Sequence, residues 1–383
     1  MDRIAADALA AALPDLSLDF AHVKAQLAKG YDKPFLVLDT QIVREKCRRF
    51  FAAMPRVRPH FAVKSNPDNR VLQVLKEEGV GFEIASIAEL DQLLALGVAP
   101  AEIFYSNPMK SRAYVEYAVT KGVEWFVIDS VEELEKVHSV SPTAKTYLRV
   151  FTSNVGSDWP LSGKFGAYDA ETTDIIRRAA ELKANLAGVT FHVGSQCLNP
   201  ENWKIGLDTT RRVFDEMIAA GLTPTLVNIG GGYPVTHTKD IPSMAEIGAI
   251  VNEGLKAFPP EVRVIGEPGR YLVSDAGYFV CRVVGTATRQ GQRWVYFDAG
   301  MFGGIIETTE GLKYTMLTDR TAADIVWTVA GPTCDSLDIC TRDQLLPADL
   351  VEGDFIYIKN AGAYTTAYAS TFNGFPLPDV IVL

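Results

Sequence analysis

Positive charge is the minority sign in this chain: 37 Lys and Arg stand against 47 Asp and Glu, for a formal net charge of −10. A non-specific nucleic-acid binder needs a basic face, so that class is disfavoured. Cysteine is sparse and without pattern. Cys47, Cys197, Cys281, Cys334 and Cys340 are an odd set with no paired spacing. That favours free thiols in a reducing compartment over a disulfide framework or a zinc site. No run of about 18 apolar residues occurs, so no membrane span is expected. Asp2, Asp7 and Pro14 interrupt the alanine-rich start, which speaks against a hydrophobic signal region and makes a cytoplasmic location the default. Low-complexity tracts, short repeats and obvious linkers are also missing.

What is present is enough chain for two or three domains: 383 residues, 48% of them apolar and 22% charged. Short β-rich runs recur through the first two-thirds, at Pro59–Val63, Gly81–Ile84, Glu102–Tyr105, Glu124–Ile128, Thr146–Val150, Gly188–His192, Thr225–Ile229 and Val262–Gly266. The stretches between them read as helices. Ser86 with Glu89, and Ser130 with Glu133, are capping-box signals ahead of apolar residues at helical spacing. Thr173–Leu186 carries Ile175, Ile176, Ala179, Ala180 and Leu182 between charges. Eight strands alternating with helices predict an α/β chain folded as a (β/α)8 barrel, with a doubly wound open sheet as the rival. After residue 276, strand-like runs are separated by turns, which predicts a β-sandwich or β-barrel domain over 277–383. The barrel is expected over 37–276, and segment 1–36 is expected to pack with the β domain.

Barrel enzymes gather their chemistry at the C-terminal ends of the strands. The residues there include Lys64, Glu83, Arg149, His192, the turn Gly230-Gly231-Gly232, and Glu267. An amine, an imidazole, a glycine turn and a carboxylate on one rim are an informative combination. Lys64 closes an apolar strand. In a partly desolvated mouth its pKa would fall and it could act as a Schiff-base nucleophile, although a surface lysine has the same signature. The three glycines can bring backbone N–H groups close to a phosphate, or simply make a tight turn. Arg270 could add a fork of donors to that anion. Glu267 could face a pyridinium nitrogen, or be a solvated loop acid. His192 is either a core histidine or a flat surface for a cofactor ring. Cys334-Asp335, in a Gly-Pro turn, is either packed structure or a proton donor beside an acid. Tyr364 is a packed aromatic or a phosphate donor.

Six blocks in order carry a family resemblance: Phe61-Ala62-Val63-Lys64-Ser65-Asn66, Phe191 to Gln196, Gly230-Gly231-Gly232-Tyr233-Pro234, Gly266-Glu267-Pro268-Gly269-Arg270-Tyr271, Gly331 to Ser336, and Ala361 to Thr365. From about residue 35 to Phe375 the chain resembles the fold-type III pyridoxal-phosphate decarboxylases, an alanine-racemase-like barrel plus β domain. Within that group it is similar to the ornithine decarboxylases, and to their bacterial ornithine/lysine branch.

The resemblance implies pyridoxal 5'-phosphate held on Lys64 as a Schiff base, with His192 stacked on the ring and Glu267 at its nitrogen. It places Ser195, Gly230, Gly231, Gly232, Gly269, Arg270 and Tyr364 around the phosphate, with Glu83, Arg149 and Glu89 in support. It also implies a homodimer with shared active sites, in which Cys334 protonates the α-carbon and Asp335 holds the distal ammonium of a small basic amino acid. Glu307 and Glu310 are both candidates for a second acid. Glu83 stands where eukaryotic relatives carry aspartate. The expected reaction is L-ornithine to putrescine. The alternatives are a lysine or dual-specificity enzyme making cadaverine, a diaminopimelate decarboxylase, or an inactive regulator-binding homologue. No metal is implied.

Overall fold

The computed structural model describes residues 16–161 and 163–383. The part of the expected N-terminal segment over residues 1–15 lies outside them. Two compact units emerge: Lys46–Pro234 with Pro242–Gly269, and residues 16–45 with Val235–Ile241 and Arg270–Leu383.

The first unit is a closed barrel of eight parallel strands. These are β2 (Arg58–Ala62), β3 (Gly81–Ile84), β4 (Ile103–Tyr105), β5 (Trp125–Ile128), β6 (Lys145–Arg149), β8 (Leu186–Thr190), β10 (Leu226–Asn228) and β11 (Arg263–Gly266). β11 pairs with β2 to close the ring. All eight expected strands are these strands, within two residues. Both faces of such a strand are covered, so it reads as a continuous apolar run. Phe104, Trp125, Val127, Tyr147, Ala187, Leu226 and Ile265 fill the interior, none more than 6% exposed. Two short strands outside the ring, β7 (Ser157–Trp159) and β9 (Ser195–Cys197), pair with each other.

The capping signals are half realised. Ser86 and Ser130 accept the backbone N–H of Glu89 and Glu133, as expected. The glutamates do not complete the boxes. Glu89 takes the N–H of Ala85, one residue short of the cap. Glu133 is diverted to Lys110, whose Nζ lies 2.9 Å from Oε1 with both side chains fully buried. Lys110 Nζ also donates to the carbonyls of Asn107 and Val127. It thus fastens the segment after β4 to the end of β5. Burial lowers the Lys110 pKa to about 8, and Glu133 opposes that shift. The helix expected from Thr173 begins earlier and spans Asp169–Leu182.

The second unit is one eight-stranded sheet: β1 (Phe35–Leu38), β12 (Gly277–Arg289), β13 (Gln292–Phe297), β14 (Met316–Leu317), β15 (Asp324–Ala330), β16 (Ile339–Pro347), β17 (Phe355–Lys359) and β18 (Asp379–Val382). The long β12 serves two halves. Its start pairs with β1 and β17, and after an irregularity between Val283 and Gly285 its end pairs with β13. A strand that changes partners at a bulge is how a sheet turns a corner. β1 also pairs in parallel with β18. Among the described residues, no helix is long and apolar enough to cross a membrane.

Candidate active site

Because all eight barrel strands run in parallel, the residues that follow them share one rim. Lys64 sits in a single 3₁₀ turn after β2. Its Nζ lies 3.0 and 3.2 Å from the carboxylate oxygens of Glu83 on β3. The Glu83 side chain is 2% exposed and that of Lys64 is 50% exposed. The amine is therefore anchored from below by a buried charge and open from above.

Glu267 follows β11. Its Oε1 accepts from Asn228 Nδ2 at 2.6 Å and from Ser106 Oγ at 2.8 Å. Ser106 Oγ lies 2.6 Å from Tyr147 OH. Burial, then the nearby Glu83, push the Glu267 carboxyl up to about 6, against the pull of those donors and Lys64. His192, two residues past β8, accepts the Gly194 N–H on Nδ1 at 3.0 Å. Burial holds its pKa well below the ordinary histidine range, with Arg149 and Lys64 adding to the effect, so the ring is neutral. A neutral imidazole with Nδ1 accepting carries its proton on Nε2. Arg149 ends β6 with its guanidinium 5.6 Å from the Phe165 ring. Desolvation works against its charge and Glu267, Asp129 and Glu83 offset that.

The glycine turn lies alongside. A Cβ on Gly231 would sit 2.6 Å from the Glu267 carbonyl oxygen and 3.1 Å from His192 Nε2. Only glycine lets the backbone pass there. Ser195 begins β9 and Gly269 packs against Ser65. Lys64, Glu83, Arg149, His192, Ser195, Gly230–Gly232, Glu267 and Gly269 all belong to the first unit. A neutral flat ring, an amine, a half-buried carboxylate with both donors on one oxygen, and a bare turn of N–H groups fit the aldehyde, ring and phosphate of a pyridoxal cofactor.

The remaining candidates lie in the second unit. Arg270 is 5% exposed and pairs through both terminal nitrogens with Glu307, itself 3% exposed. Its guanidinium lies 5.0 Å from the Tyr364 ring, and Tyr314 OH approaches Glu307 at 3.4 Å. Tyr364 adopts a left-handed backbone, φ 56°. Glu307 and Glu310 lie in one short 3₁₀ segment, Ile306–Glu310, and Glu310 at its end is exposed. Cys334 and Asp335 lie in the turn between β15 and β16. The Cys334 N–H and Sγ both reach Asn373 Oδ1, at 3.2 and 3.3 Å.

Sequence reading missed Asp338, which pins this turn. Asp338 is buried and accepts from Met301 N–H, Thr333 N–H and Thr333 Oγ1. Ser106, Tyr147, Asn228 and Asn373 were missed as well. Of these, Asn228, ending β10 beside the glycines, and Ser106, directly after β4, carried a positional signal.

Residues 40–274 match the family of the pyridoxal-dependent decarboxylase, pyridoxal binding domain. The chain belongs to the ornithine decarboxylase family of pyridoxal-phosphate enzymes. It is 36% identical over 367 residues to the ornithine decarboxylase of Schizosaccharomyces pombe, covering 91% of this chain and 83% of that one. It is 32% identical to the lysine/ornithine decarboxylase of Selenomonas ruminantium, covering 93% and 91%. The structure of lysine/ornithine decarboxylase from Vibrio vulnificus, complexed with putrescine, superposes with a TM-score of 0.86 at 32% identity, over 96% of this chain and 99% of that one. The family's pyridoxal-dependent amino-acid decarboxylase chemistry is thus this chain's own.

Proposed function

We propose that this decarboxylase acts on L-ornithine to give putrescine, as a cytoplasmic homodimer, with a lysine or dual lysine/ornithine decarboxylase making cadaverine as the alternative. The observation that carries the reading is the barrel rim itself, where Lys64 and a Glu267 bonded through Oε1 stand on neighbouring strand ends. When bound, pyridoxal phosphate supplies an electron sink for the pair of electrons left behind by CO2. Lys64 would hold it through the ε-amine, with His192 against the ring and Glu267 at the ring nitrogen. Glu83 and Arg149 set the charge around that ring. Ser195, Gly230, Gly231, Gly232, Gly269, Arg270 and Tyr364 are assigned to the phosphate.

Cys334 is assigned as the acid that delivers a proton from Sγ to the α-carbon. Its hydrogen bond to the neutral acceptor Asn373 Oδ1 suits a protonated thiol. Asp335, half-buried, and Glu310, exposed, are assigned to the distal ammonium. Glu307 is the less suitable acid of the two glutamates, because its carboxylate is committed to Arg270 in a buried pair. The dimer is supported by the exposure of Cys334 together with Leu337 (68%), Phe372 (40%) and Leu377 (47%) in the same unit. A second copy would cover that apolar surface and receive the Cys334-Asp335 turn.

The lysine side chain is ornithine's plus one methylene, worth only about 1–3 kcal/mol in discrimination. Release of CO2 from ornithine, lysine, arginine and diaminopimelate, each at limiting concentration, tests the substrate. A kcat/KM for ornithine below that for lysine would move the assignment to a lysine decarboxylase. Borohydride reduction followed by peptide mass mapping tests the cofactor's attachment to Lys64.

A further inference from the structure

Asn228 ends β10 at 0% exposure and makes two hydrogen bonds of opposite sense. Its Nδ2 donates to Glu267 Oε1 at 2.6 Å, and its Oδ1 accepts the Gly230 N–H at 2.9 Å. The Gly230 carbonyl in turn accepts the backbone N–H of Glu267 at 2.7 Å. Three hydrogen bonds thus tie the carboxylate that follows β11 to the glycine turn that follows β10. Ser106 adds a second donor to the same carboxylate oxygen. Since its single proton goes to Glu267, the 2.6 Å contact with Tyr147 must have the tyrosine donating to Ser106 Oγ. The order Tyr147 to Ser106 to Glu267 is fixed by proton count alone. Both donors meet Oε1, so Oε2 is the atom presented to a ring.

We propose that Asn228, seconded by Ser106, is a positioning residue that holds the Glu267 carboxylate and the glycine turn as one unit, so that the cofactor's ring nitrogen and phosphate are located together. This rests on the reading of Glu267 as the ring-nitrogen partner. An amide suits the place because one donor and one acceptor are both consumed. A carboxylate at 228 could satisfy Gly230 but not Glu267 without holding a proton, and an aliphatic side chain satisfies neither.

The groups facing Glu267 are Glu83 on β3, Lys64 after β2, Tyr147 and Arg149 on β6, and Tyr233 after the glycine turn. Burial and Glu83 raise its proton affinity, while Asn228, Lys64 and Ser106 lower it. Losing either amide or hydroxyl therefore moves the carboxyl further up and depletes the ionised form near neutral pH.

Asn228→Leu and Ser106→Ala, each in the full chain, separate positioning from simple packing. The expected result for Asn228→Leu is a 10- to 100-fold weaker rebinding of pyridoxal phosphate to the stripped enzyme, roughly the range for lost outer hydrogen-bond partners. The acid limb of kcat against pH moves toward neutrality. Ser106→Ala moves the limb in the same direction by less, and Ser106→Thr, which keeps the hydroxyl, recovers it. If Asn228→Leu does not fold, the Ser106 pair still decides. Glu267→Gln separates the two ideas. Cofactor affinity and pH profile both unchanged in Glu267→Gln would overturn the ring-nitrogen reading and this proposal with it. Changes in Glu267→Gln, with Asn228→Leu and Ser106→Ala altering melting temperature only, would overturn the positioning role alone.

Discussion

Replacing Glu267 by glutamine should make the cofactor-free enzyme more stable while lowering its turnover. The carboxyl is pushed from the usual 4.5 up to about 6 by burial and Glu83. The folded chain therefore holds that proton more tightly than the unfolded chain does, and the ionised form strains the fold once the pH exceeds about 6. Moving a carboxyl from 4.5 to about 6 corresponds to about 2 kcal/mol. Glutamine keeps an Oε1 for Ser106 and Asn228 and carries no charge, so the strain disappears with the packing retained. At pH 7.5 the variant should gain up to about 2 kcal/mol, and the gain should shrink as the pH falls through 6 and vanish below 4.5. Urea unfolding of the stripped enzyme at several pH values measures it. Because the chain has two units, the comparison belongs to the barrel's own transition. A gain that grows toward pH 5, or no gain at pH 7.5, would refute the reasoning. On the role proposed for Glu267 at the ring nitrogen, turnover should fall all the same, because that nitrogen would lose its charged partner; stability given up for function is common at such sites.

Three other outcomes are expected. Glu310→Gln should raise the KM for ornithine, on the order of tenfold, with little change in melting, whereas Glu307→Gln should act on folding, since breaking a buried ion pair costs about 3–5 kcal/mol; substrate kinetics beside thermal melts tell them apart. Asp338→Ala should lower kcat and stability together, because buried donors at Met301 and Thr333 lose their acceptor at about 1–3 kcal/mol each; stopped-flow product formation and calorimetry read both. Equal amounts of the Lys64→Ala and Cys334→Ala chains, each inactive or slowed alone, should on mixing recover about a quarter of wild-type activity if sites are shared between two copies, since half the dimers carry one intact site. No recovery would place Cys334 within its own chain's site.

The barrel was legible because short β-rich runs alternate regularly with helical stretches, even where a strand such as β2 or β6 carries charged residues, and each was followed by a residue of distinct chemistry. The sheet was less so. β16 has Thr341, Arg342, Asp343 and Gln344 at its centre and sits at an edge, where water replaces the apolar partner that makes a strand readable. β14 has two residues and β18 has four, too few for any period. In the site, Lys64, His192 and Glu267 could be named because their types and order are distinctive. Ser106 and Asn228 could not, since their importance lies in meeting Glu267 across the rim. Glu133 shows the opposite failure. A local capping signal was real, but a lysine 23 positions earlier competed for the carboxylate and won.

The pairing of β1 with β18 also bears on how the protein is made. Residues 35–38 emerge early from the ribosome, and residues 379–382 emerge only after almost the entire described chain has been synthesised. Until then one edge of β1 is an open template for other chains. Contacts of such sequence separation form slowly, while the barrel's βα steps are nearly local and can close first. The sheet of the unit that holds Arg270, Cys334 and Tyr364 is thus the last part to be completed. Chaperone dependence, and the yield of active enzyme, should be set by that late zippering rather than by the barrel.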